Sequence, residues 1–228
     1  MNLALPIGPP IRHVVWDWNG TLLADTDLTV TSANAALGAI GLDVVVTKTD
    51  WRRHTTRPIR LTYNALAGRD LTDAEWLVVQ DVWMGRYLEG FPQVPLAAEA
   101  PAALERVRRL GLTQSIVSLH VARELTDHVA ARGVAGYFAA VDGAPDQAGA
   151  GGTPSKAAML GAHLKHLGLE PAAVVMVGDM ADDALAAQAV GARAVLVATG
   201  DTAPERLAAT GSPVAPNLLA ALDAWATA

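Results

Sequence analysis

A short segment near the N-terminus joins a run of apolar residues to a carboxylate, an amide and a glycine turn. The segment reads VVWDWNGT, in which Asp17 ends the apolar run and Asn19, Gly20 and Thr21 follow after one residue. Ligands of a parallel sheet bind beyond the carboxyl ends of its strands, and a strand that ends on Asp17 presents a carboxylate there. Such a carboxylate can bind a metal ion or act as a nucleophile.

A second group of carboxylates follows another apolar run. The segment VVMVGD ends at Asp179, and Asp182 and Asp183 then enter an alanine-rich helical pattern. Asp17 and Asp179 together would form an oxygen-rich site that suits Mg²⁺, because this ion takes one or two carboxylates with water and substrate phosphate. We therefore predict Mg²⁺ as the cofactor. Asp183 is interpreted as part of this site, and Asp182 as an ordinary acid at a helix N-terminus.

The elements that would position these residues alternate regularly along most of the chain. Short apolar runs predict strands at 13–17, 115–119, 173–179 and 194–198, with weaker candidates at 137–141 and 212–215. Helical patterns lie between them, at 97–110, 121–132, 155–167, 181–190, 203–209 and 217–226. Strands that alternate with helices in this way predict an α/β fold with a doubly wound, Rossmann-like parallel sheet. Ser118 then falls at a strand end, near Asp17 and Asp179.

Residues 28–92 interrupt the alternation with helix-like segments and contain no convincing buried strand. We predict that they form a helical cap, inserted into an α/β core of residues 1–27 and 93–228. The cap carries the densest basic patch of the chain, and such a patch is usually a solvated surface. Two of its members, Arg53 and Arg57, are predicted to bind a carboxylate or a second phosphate of the substrate.

Two further segments bear on the site. The glycine- and proline-rich segment 143–154 predicts a loop that ends at a helix start, which places Lys156 in the first turn of that helix. The tryptophans of the cap are interpreted as packing residues of amphipathic helices rather than as a platform for a ligand; they are Trp51, Trp76 and Trp83.

Composition sets limits on the function. The 228 residues include no cysteine, which excludes disulfides and thiolate metal sites. A net charge of -6 argues against a nucleic-acid partner, and no apolar run approaches the length of a membrane span. No secretory signal pattern is present at the N-terminus, so we expect a cytoplasmic protein, monomeric or homodimeric, that acts on a small molecule.

Four motifs, in order, resemble those of the haloacid dehalogenase-like (HAD) hydrolases, and more narrowly of the phosphoglycolate phosphatase-like branch with a helical cap. The first is Asp17-x-Asn19-Gly20-Thr21, and the others are Ser118, Lys156, and Gly178-Asp179 with Asp183. Each motif is short and weak alone, but all four lie on the predicted elements in the expected order. The resemblance implies hydrolysis of a small phosphorylated metabolite.

The resemblance also implies a role for each residue. Asp17 would be the nucleophile that forms an aspartyl-phosphate. The Asn19 carbonyl would join Asp17 and Asp179 around Mg²⁺, and Asp183 would orient these ligands. Phosphoryl oxygens would be bound by Ser118 and by backbone N–H groups of the Gly20-Thr21 turn, which Thr21 shapes. Lys156 would neutralise the charge on the nucleophile and the phosphate.

Asn19 departs from the phosphatase pattern, which has a second aspartate at this position. That aspartate protonates the leaving group and then activates water, and loss of a positioned acid–base forfeits about 10²- to 10⁴-fold in rate. Four interpretations stay open. His120, His54 or water supplies the acid–base function, or the leaving group needs no proton. Alternatively the enzyme cleaves a phosphonate, a reaction that needs a cap lysine, of which Lys48 is the single one, or it cleaves a carbon–halogen bond. The fourth interpretation is that the protein binds a phosphate ligand without turnover.

Overall fold

A computed structural model describes residues 9–145 and 155–225 of the chain. Within these residues, six strands form one parallel sheet in the order β3-β2-β1-β4-β5-β6. The strands are β1 (His13–Trp16), β2 (Thr113–Val121), β3 (Val141–Ala144), β4 (Val174–Gly178), β5 (Arg193–Val197) and β6 (Val214–Ala215). The predicted α/β fold with a doubly wound, Rossmann-like sheet is thus confirmed. The strand order reverses between β1 and β4, and such a reversal opens a crevice at the carboxyl ends of these strands.

Six helices cover the two faces of the sheet. They are α5 (Ala100–Arg109), α6 (Ala122–Ala131), α7 (Lys156–Leu167), α8 (Ala181–Val190), α9 (Pro204–Ala208) and α10 (Leu218–Ala224). Buried residues of α5, α6 and α10 pack with Val14 and Trp16 on one face, whereas those of α7, α8 and α9 pack with Val15 on the other. Successive residues of a strand point to opposite faces, so a continuous apolar run is the pattern that a sheet covered on both sides requires.

Four more helices lie between β1 and α5, and we refer to them as the cap. They are α1 (Thr26–Ala39), α2 (Lys48–His54), α3 (Arg60–Ala67) and α4 (Asp73–Gly90). Thr47 and Thr72 form capping boxes with the acids three residues later, which fixes where α2 and α4 begin. The cap has its own hydrophobic cluster, built from residues of all four helices and their connections.

Some boundaries differ from the predicted ones. The weak strand predicted at 137–141 is wrong in position, because residues 135–137 form a 3₁₀ turn and β3 begins at Val141. The aromatic side chains of Tyr137 and Phe138, which suggested a strand, pack on the core from outside the sheet. β3 also includes residues 143 and 144 of the predicted loop 143–154, and residues 146–154 of that loop lie outside the described residues. No helix among the described residues is long and apolar enough to cross a membrane.

Candidate active site

The register of the sheet brings the predicted strand-end residues together. Trp16 pairs with Ile116 of β2 on one side and with Val177 of β4 on the other. Asp17 directly follows Trp16, while Ser118 and Asp179 lie two residues beyond its partners. The three residues thus lie within one position of one another at the carboxyl ends of three adjacent strands, at one edge of the sheet.

Asp17 is held at this edge by its own backbone and carboxylate. Its N–H donates to the carbonyl of Val177 at 2.9 Å, which continues the pairing with β4 one residue past the strand. Its Oδ1 accepts from the N–H of Trp18 at 2.7 Å, and its Oδ2 lies 2.7 Å from the Nζ of Lys156. The residue is 7 % exposed, so the carboxylate is shielded but can be reached from the cavity that it lines.

Two glycines allow the other carboxylates to approach. A Cβ on Gly178 would lie 2.1 Å from the carboxyl carbon of Asp183, and a Cβ on Gly20 would lie 2.4 Å from Oδ2 of Asp179. Gly20 also has a φ of 70°, in the left-handed region that favours glycine. Any side chain at these positions would displace a carboxylate, and this explains the glycines in both motifs.

The carboxylates of Asp17, Asp179 and Asp183 form a buried acidic cluster. One oxygen of each lies within 4.8 Å of the others. Burial raises the pKa of Asp183 to about 7 despite the nearby charge of Lys156. Burial, with repulsion from Asp201, Asp17 and Asp183, raises the pKa of Asp179 well above its usual value. Three buried carboxylates that repel one another fit a divalent cation, because a hard cation would offset this repulsion and accept their oxygens as ligands.

Lys156 contacts two of the three carboxylates of this cluster. Ser155 caps the N-terminus of α7 through its hydroxyl, as the predicted helix start requires, and Lys156 is the first residue of the helix. The ammonium group is within contact distance of both Asp17 and Asp183. Although burial alone would lower the pKa of Lys156, these two carboxylates raise it, and the side chain stays charged. It supplies a fixed positive charge next to the proposed nucleophile.

Ser118 and His120 line the same cavity from β2. The Ser118 Oγ accepts from the backbone N–H of His120 at 3.3 Å, which leaves its proton free to be donated to a ligand. Burial, followed by the charges of His128 and Arg132, lowers the pKa of His120 to about 4. His120 is therefore neutral near pH 7, and in that state it can accept a proton but is a poor proton donor.

Thr21 lies beneath the acidic cluster rather than beside the cavity. Its side chain is fully buried, and its hydroxyl donates to Oδ1 of Asp179 at 3.0 Å. Oδ2 of Asp179 accepts in turn from the backbone N–H of Asp201 at 2.7 Å. Thr21 and the loop after β5 thus fix both oxygens of Asp179, and the contribution of that loop had no signature in the sequence.

Asn19 takes part in a hydrogen-bond network that the sequence did not predict. Its Nδ2 donates to Oδ2 of Asp25 at 2.7 Å and to the hydroxyl of Tyr87 at 2.8 Å. The Tyr87 hydroxyl donates to the same Asp25 oxygen at 2.6 Å, and the N–H of Gly20 donates to the other at 2.7 Å. Tyr87 belongs to the cap helix α4, so this network joins the cap to the turn after β1. Both protons of the Asn19 amide are therefore committed to protein groups.

The two arginines predicted to bind substrate lie in different environments. Arg57 lines the cavity, and its Nε is 3.2 Å from Oδ2 of Asp182 on the core. Arg53 has a side chain that is 62 % exposed and a long contact of 3.9 Å to Asp50, and it does not line the cavity. The structure brings Arg57 to the site but not Arg53. Arg52, which the sequence did not single out, instead ties α2 to the core by donating to the carbonyls of Thr199 and Gly200.

The cavity between the core and the cap has a volume of about 420 Å³. Asp17, Asn19, Ser118, Lys156 and Asp179 form its core side. The cap side is largely aromatic and apolar, and it includes the tryptophans that the sequence analysis assigned to packing: Trp51, Trp76 and Trp83. Those tryptophans do pack in the cap, but one surface of each faces the cavity.

Comparison with known proteins agrees with this architecture. Residues 151–221 match the family model described as HAD-hydrolase-like. This part of the chain is thus similar to HAD-like hydrolases. A search of curated protein sequences finds no match to the chain.

Solved structures extend this similarity to nearly the whole chain. A haloacid dehalogenase-like hydrolase from Streptococcus pneumoniae superposes with a TM-score of 0.78 at 17% identity, covering 93% of this chain and 97% of that one. A predicted phosphoglycolate phosphatase from Haemophilus somnus gives 0.73 at 19% identity, with 93% and 97% covered. CbbY from Rhodobacter sphaeroides, in complex with phosphate, gives 0.67 at 18% identity, with 93% and 99% covered. At these identities the likeness establishes the fold alone.

Proposed function

We propose that the protein is a Mg²⁺-dependent phosphatase that hydrolyses a small phosphorylated metabolite through an aspartyl-phosphate on Asp17. The observation that carries the proposal is the buried cluster of Asp17, Asp179 and Asp183, two of which contact Lys156, at one end of a cavity large enough for a metabolite. Solved structures of this fold include one in complex with phosphate, which supports a phosphorylated ligand.

The residues present fit the metal ion. Asp17, Asp179 and the backbone carbonyl of Asn19 would hold Mg²⁺, with Asp183 orienting the site through its contacts with Lys156 and the N–H of Met180. Once bound, the ion would offset the charge of the phosphoryl oxygens next to the carboxylates.

The positions of the side chains support one course for the first chemical step. A carboxylate oxygen of Asp17 attacks phosphorus, the new Asp17–phosphorus bond forms, and the ester bond to the leaving oxygen breaks. Lys156 neutralises charge on Asp17, and the hydroxyl of Ser118 donates to a phosphoryl oxygen. The leaving oxygen departs as an anion or takes a proton from solvent, because the Asn19 amide has no proton to transfer.

The second step releases phosphate. Water attacks the phosphorus of the aspartyl-phosphate, the Asp17–phosphorus bond breaks, and the water proton passes to solvent or to neutral His120. Of the two histidines considered as replacements for the missing acid, His120 lines the cavity and His54 does not. Since His120 is unprotonated near pH 7, it suits this second step better than protonation of the leaving group.

A phosphonate-cleaving reaction receives no support from the cap lysine. Lys48 is paired with Asp27 at 2.5 Å and is not among the residues that line the cavity. Binding of a phosphate ligand without turnover is the second candidate. It is favoured by the Asn19 amide, which is bonded to Asp25 and Tyr87 as a structural group would be.

One experiment separates the two candidates. Purified protein is incubated with Mg²⁺ and phosphate esters whose leaving groups have graded pKa values, and phosphate release is measured, with Asp17→Asn as the control. We expect release that depends on Mg²⁺ and on Asp17, and that is faster for better leaving groups. Mass spectrometry of a quenched reaction should find the phosphoryl group on Asp17. No release from any ester, with Asn19→Asp also inactive, would favour the binding protein.

A further inference from the structure

The cap side of the cavity is an aromatic wall, by which we mean Trp51, Tyr63, Trp76, Trp83 and Tyr87. Tyr63 packs edge-on between Trp51 and Trp76, with ring centroids 6.0 Å and 5.6 Å apart. Trp83 and Tyr87 stack at 4.6 Å. The rings thus hold one another in place before any ligand binds, so a planar apolar group meets a surface that is already ordered.

Charge on the cap side of the cavity is low. Of the described cap residues that line it, Arg57 is the single charged one, and its guanidinium is already paired with Asp182. A substrate that carries a second phosphate or a carboxylate far from the reacting phosphate would need a free cation here. The cap instead offers rings and aliphatic side chains, which favour an uncharged leaving group.

Polar groups of Tyr63 and Trp83, both in the aromatic wall, lack hydrogen-bond partners among the described residues. The hydroxyl of Tyr63, a residue that is 3 % exposed, has no hydrogen-bond partner, and neither does the buried indole nitrogen of Trp83. Buried donors are nearly always paired, and an unpaired one weakens the folded state. A ligand bound in the cavity that both residues line is the expected source of the missing acceptor.

We propose that the substrate is a phosphate monoester of an uncharged aromatic alcohol that carries a hydrogen-bond acceptor on its ring system. This inference deepens the proposed function and rests on it. The phosphate binds at Asp17 and Lys156, the rings of the leaving group lie against the aromatic wall, and the acceptor faces Tyr63 or Trp83.

The same substrate class accounts for Asn19. A phenolic oxygen ionises near a pKa of about 10, as that of tyrosine does. Water ionises at about 15.7, and an alkyl alcohol is closer to water. An aryl ester can therefore release its leaving group as an anion, without the proton donor that Asn19 does not provide. The cap and the turn after β1 thus point independently to the same kind of ester.

Binding of phosphonates tests recognition apart from turnover, because their carbon–phosphorus bond is not hydrolysed by a phosphatase. Titration calorimetry of the full chain with Mg²⁺ compares benzylphosphonate, cyclohexylmethylphosphonate and methylphosphonate. We expect benzylphosphonate to bind at least about tenfold more tightly than methylphosphonate, with the cyclohexyl compound between them. Equal affinities for all three would overturn the proposal.

Substitutions in the aromatic wall test which of its residues contact the ligand. Trp83→Leu should abolish the preference for benzylphosphonate, whereas Trp225→Leu, in a residue that packs on the core away from the cavity, should keep it.

Tyr63→Phe removes an unpaired hydroxyl, so the variant should fold at least as well as the parent. It should raise KM severalfold for 4-methylumbelliferyl phosphate, which has a ring carbonyl, but not for 1-naphthyl phosphate. Unchanged KM values for both esters in Tyr63→Phe and Trp83→Leu would contradict the assignment of the wall.

The outcomes distinguish this proposal from the proposed function. If phosphate is released but aryl, cyclohexyl and small hydrophilic ligands bind alike, the phosphatase stands and the aromatic substrate class is wrong. If benzylphosphonate binds selectively but no ester is hydrolysed, the recognition of an aromatic phosphate stands and the catalytic function fails.

Discussion

The two sides of the cavity are built in opposite ways. The core side concentrates Asp17, Asp179, Asp183 and Lys156 in a buried cluster fixed by strand ends and glycine turns. The cap side presents mainly rings and aliphatic side chains from helices that carry their own hydrophobic cluster. The core side would bind and transfer a phosphoryl group from any ester, so selectivity must come from the cap side. Substitutions on the two sides should therefore affect different quantities.

The largest effect is expected on the core side. Asp17→Asn removes the proposed nucleophile, and we expect phosphate release to fall by at least about 10⁴-fold. The same change removes one of three repelling carboxylates, so the melting temperature in EDTA should rise or stay constant. Calorimetry and a phosphate assay on the same preparation measure both. Retained activity would show that another group attacks phosphorus.

A second prediction concerns the junction of the two sides, at Asn19. Asn19→Asp alone places a carboxylate against Oδ2 of Asp25, at the present hydrogen-bond distance of 2.7 Å, and should lower the melting temperature. The double variant Asn19→Asp/Asp25→Asn exchanges the amide and the acid and allows the bond to re-form in the reverse direction.

We expect the double variant to recover the lost stability and to hydrolyse alkyl phosphates about 10²- to 10⁴-fold faster than the parent, because an acid now faces the leaving group. Aryl phosphates should gain much less. The measurements are thermal unfolding and kcat/KM for an alkyl and an aryl ester. A double variant that is stable but gains nothing on alkyl esters would show that position 19 does not reach the leaving oxygen.

The third prediction is a pH dependence confined to the core side. Asp183 has a folded pKa raised to about 7, and Asp179 is raised as well, so the folded metal-free protein binds more protons than the unfolded chain between about pH 4 and 7. The contribution of these carboxylates to stability is therefore lost as pH rises through this range.

His13 and His120 have pKa values lowered to about 4, and they act in the opposite direction below pH 6.5, so the total pH profile is mixed. The difference in melting temperature between Mg²⁺ and EDTA isolates the carboxylates. We expect this difference to increase from pH 5 to pH 7.5. The increase should be about 2–4 °C for each kcal/mol that the metal ion adds to the free energy of unfolding. In Asp179→Asn the increase should be much smaller. A difference that does not change with pH would argue against a metal site at these residues.

The smallest effect is expected at the rim of the cap side. Arg57 pairs with Asp182 at a partly exposed position, where such pairs contribute about 0–1 kcal/mol to stability. Arg57→Ala should leave the melting temperature almost unchanged and should raise KM for 4-methylumbelliferyl phosphate, whose larger leaving group extends toward the rim, more than for phenyl phosphate. Arg53→Ala, outside the cavity, is the matched control and should change neither. Equal effects of both variants would make Arg57 an ordinary surface residue.

The core side was largely predictable because it depends on local patterns. A strand buried on both faces appears in the sequence as an apolar run, whichever helices pack against it. The residue that follows the run lies at the edge of the sheet, as Asp17 and Asp179 do. The position of β3 was not predictable in this way. Tyr137 and Phe138 pack on the core without pairing in the sheet, and the sequence pattern does not distinguish these two cases.

Only the tertiary structure decided what faces the core side across the cavity. The helical patterns of the cap show which residues are apolar, but not which of them turn one surface away from the cap's own cluster, as Trp51, Trp76 and Trp83 do. The network of Asn19, Asp25 and Tyr87 was likewise hidden, because Tyr87 lies 62 residues from Asp25 and nothing in either segment indicates that they meet. The sequence determines which side chains lie at the carboxyl end of a strand. The packing of the cap on the core determines which residues those side chains face.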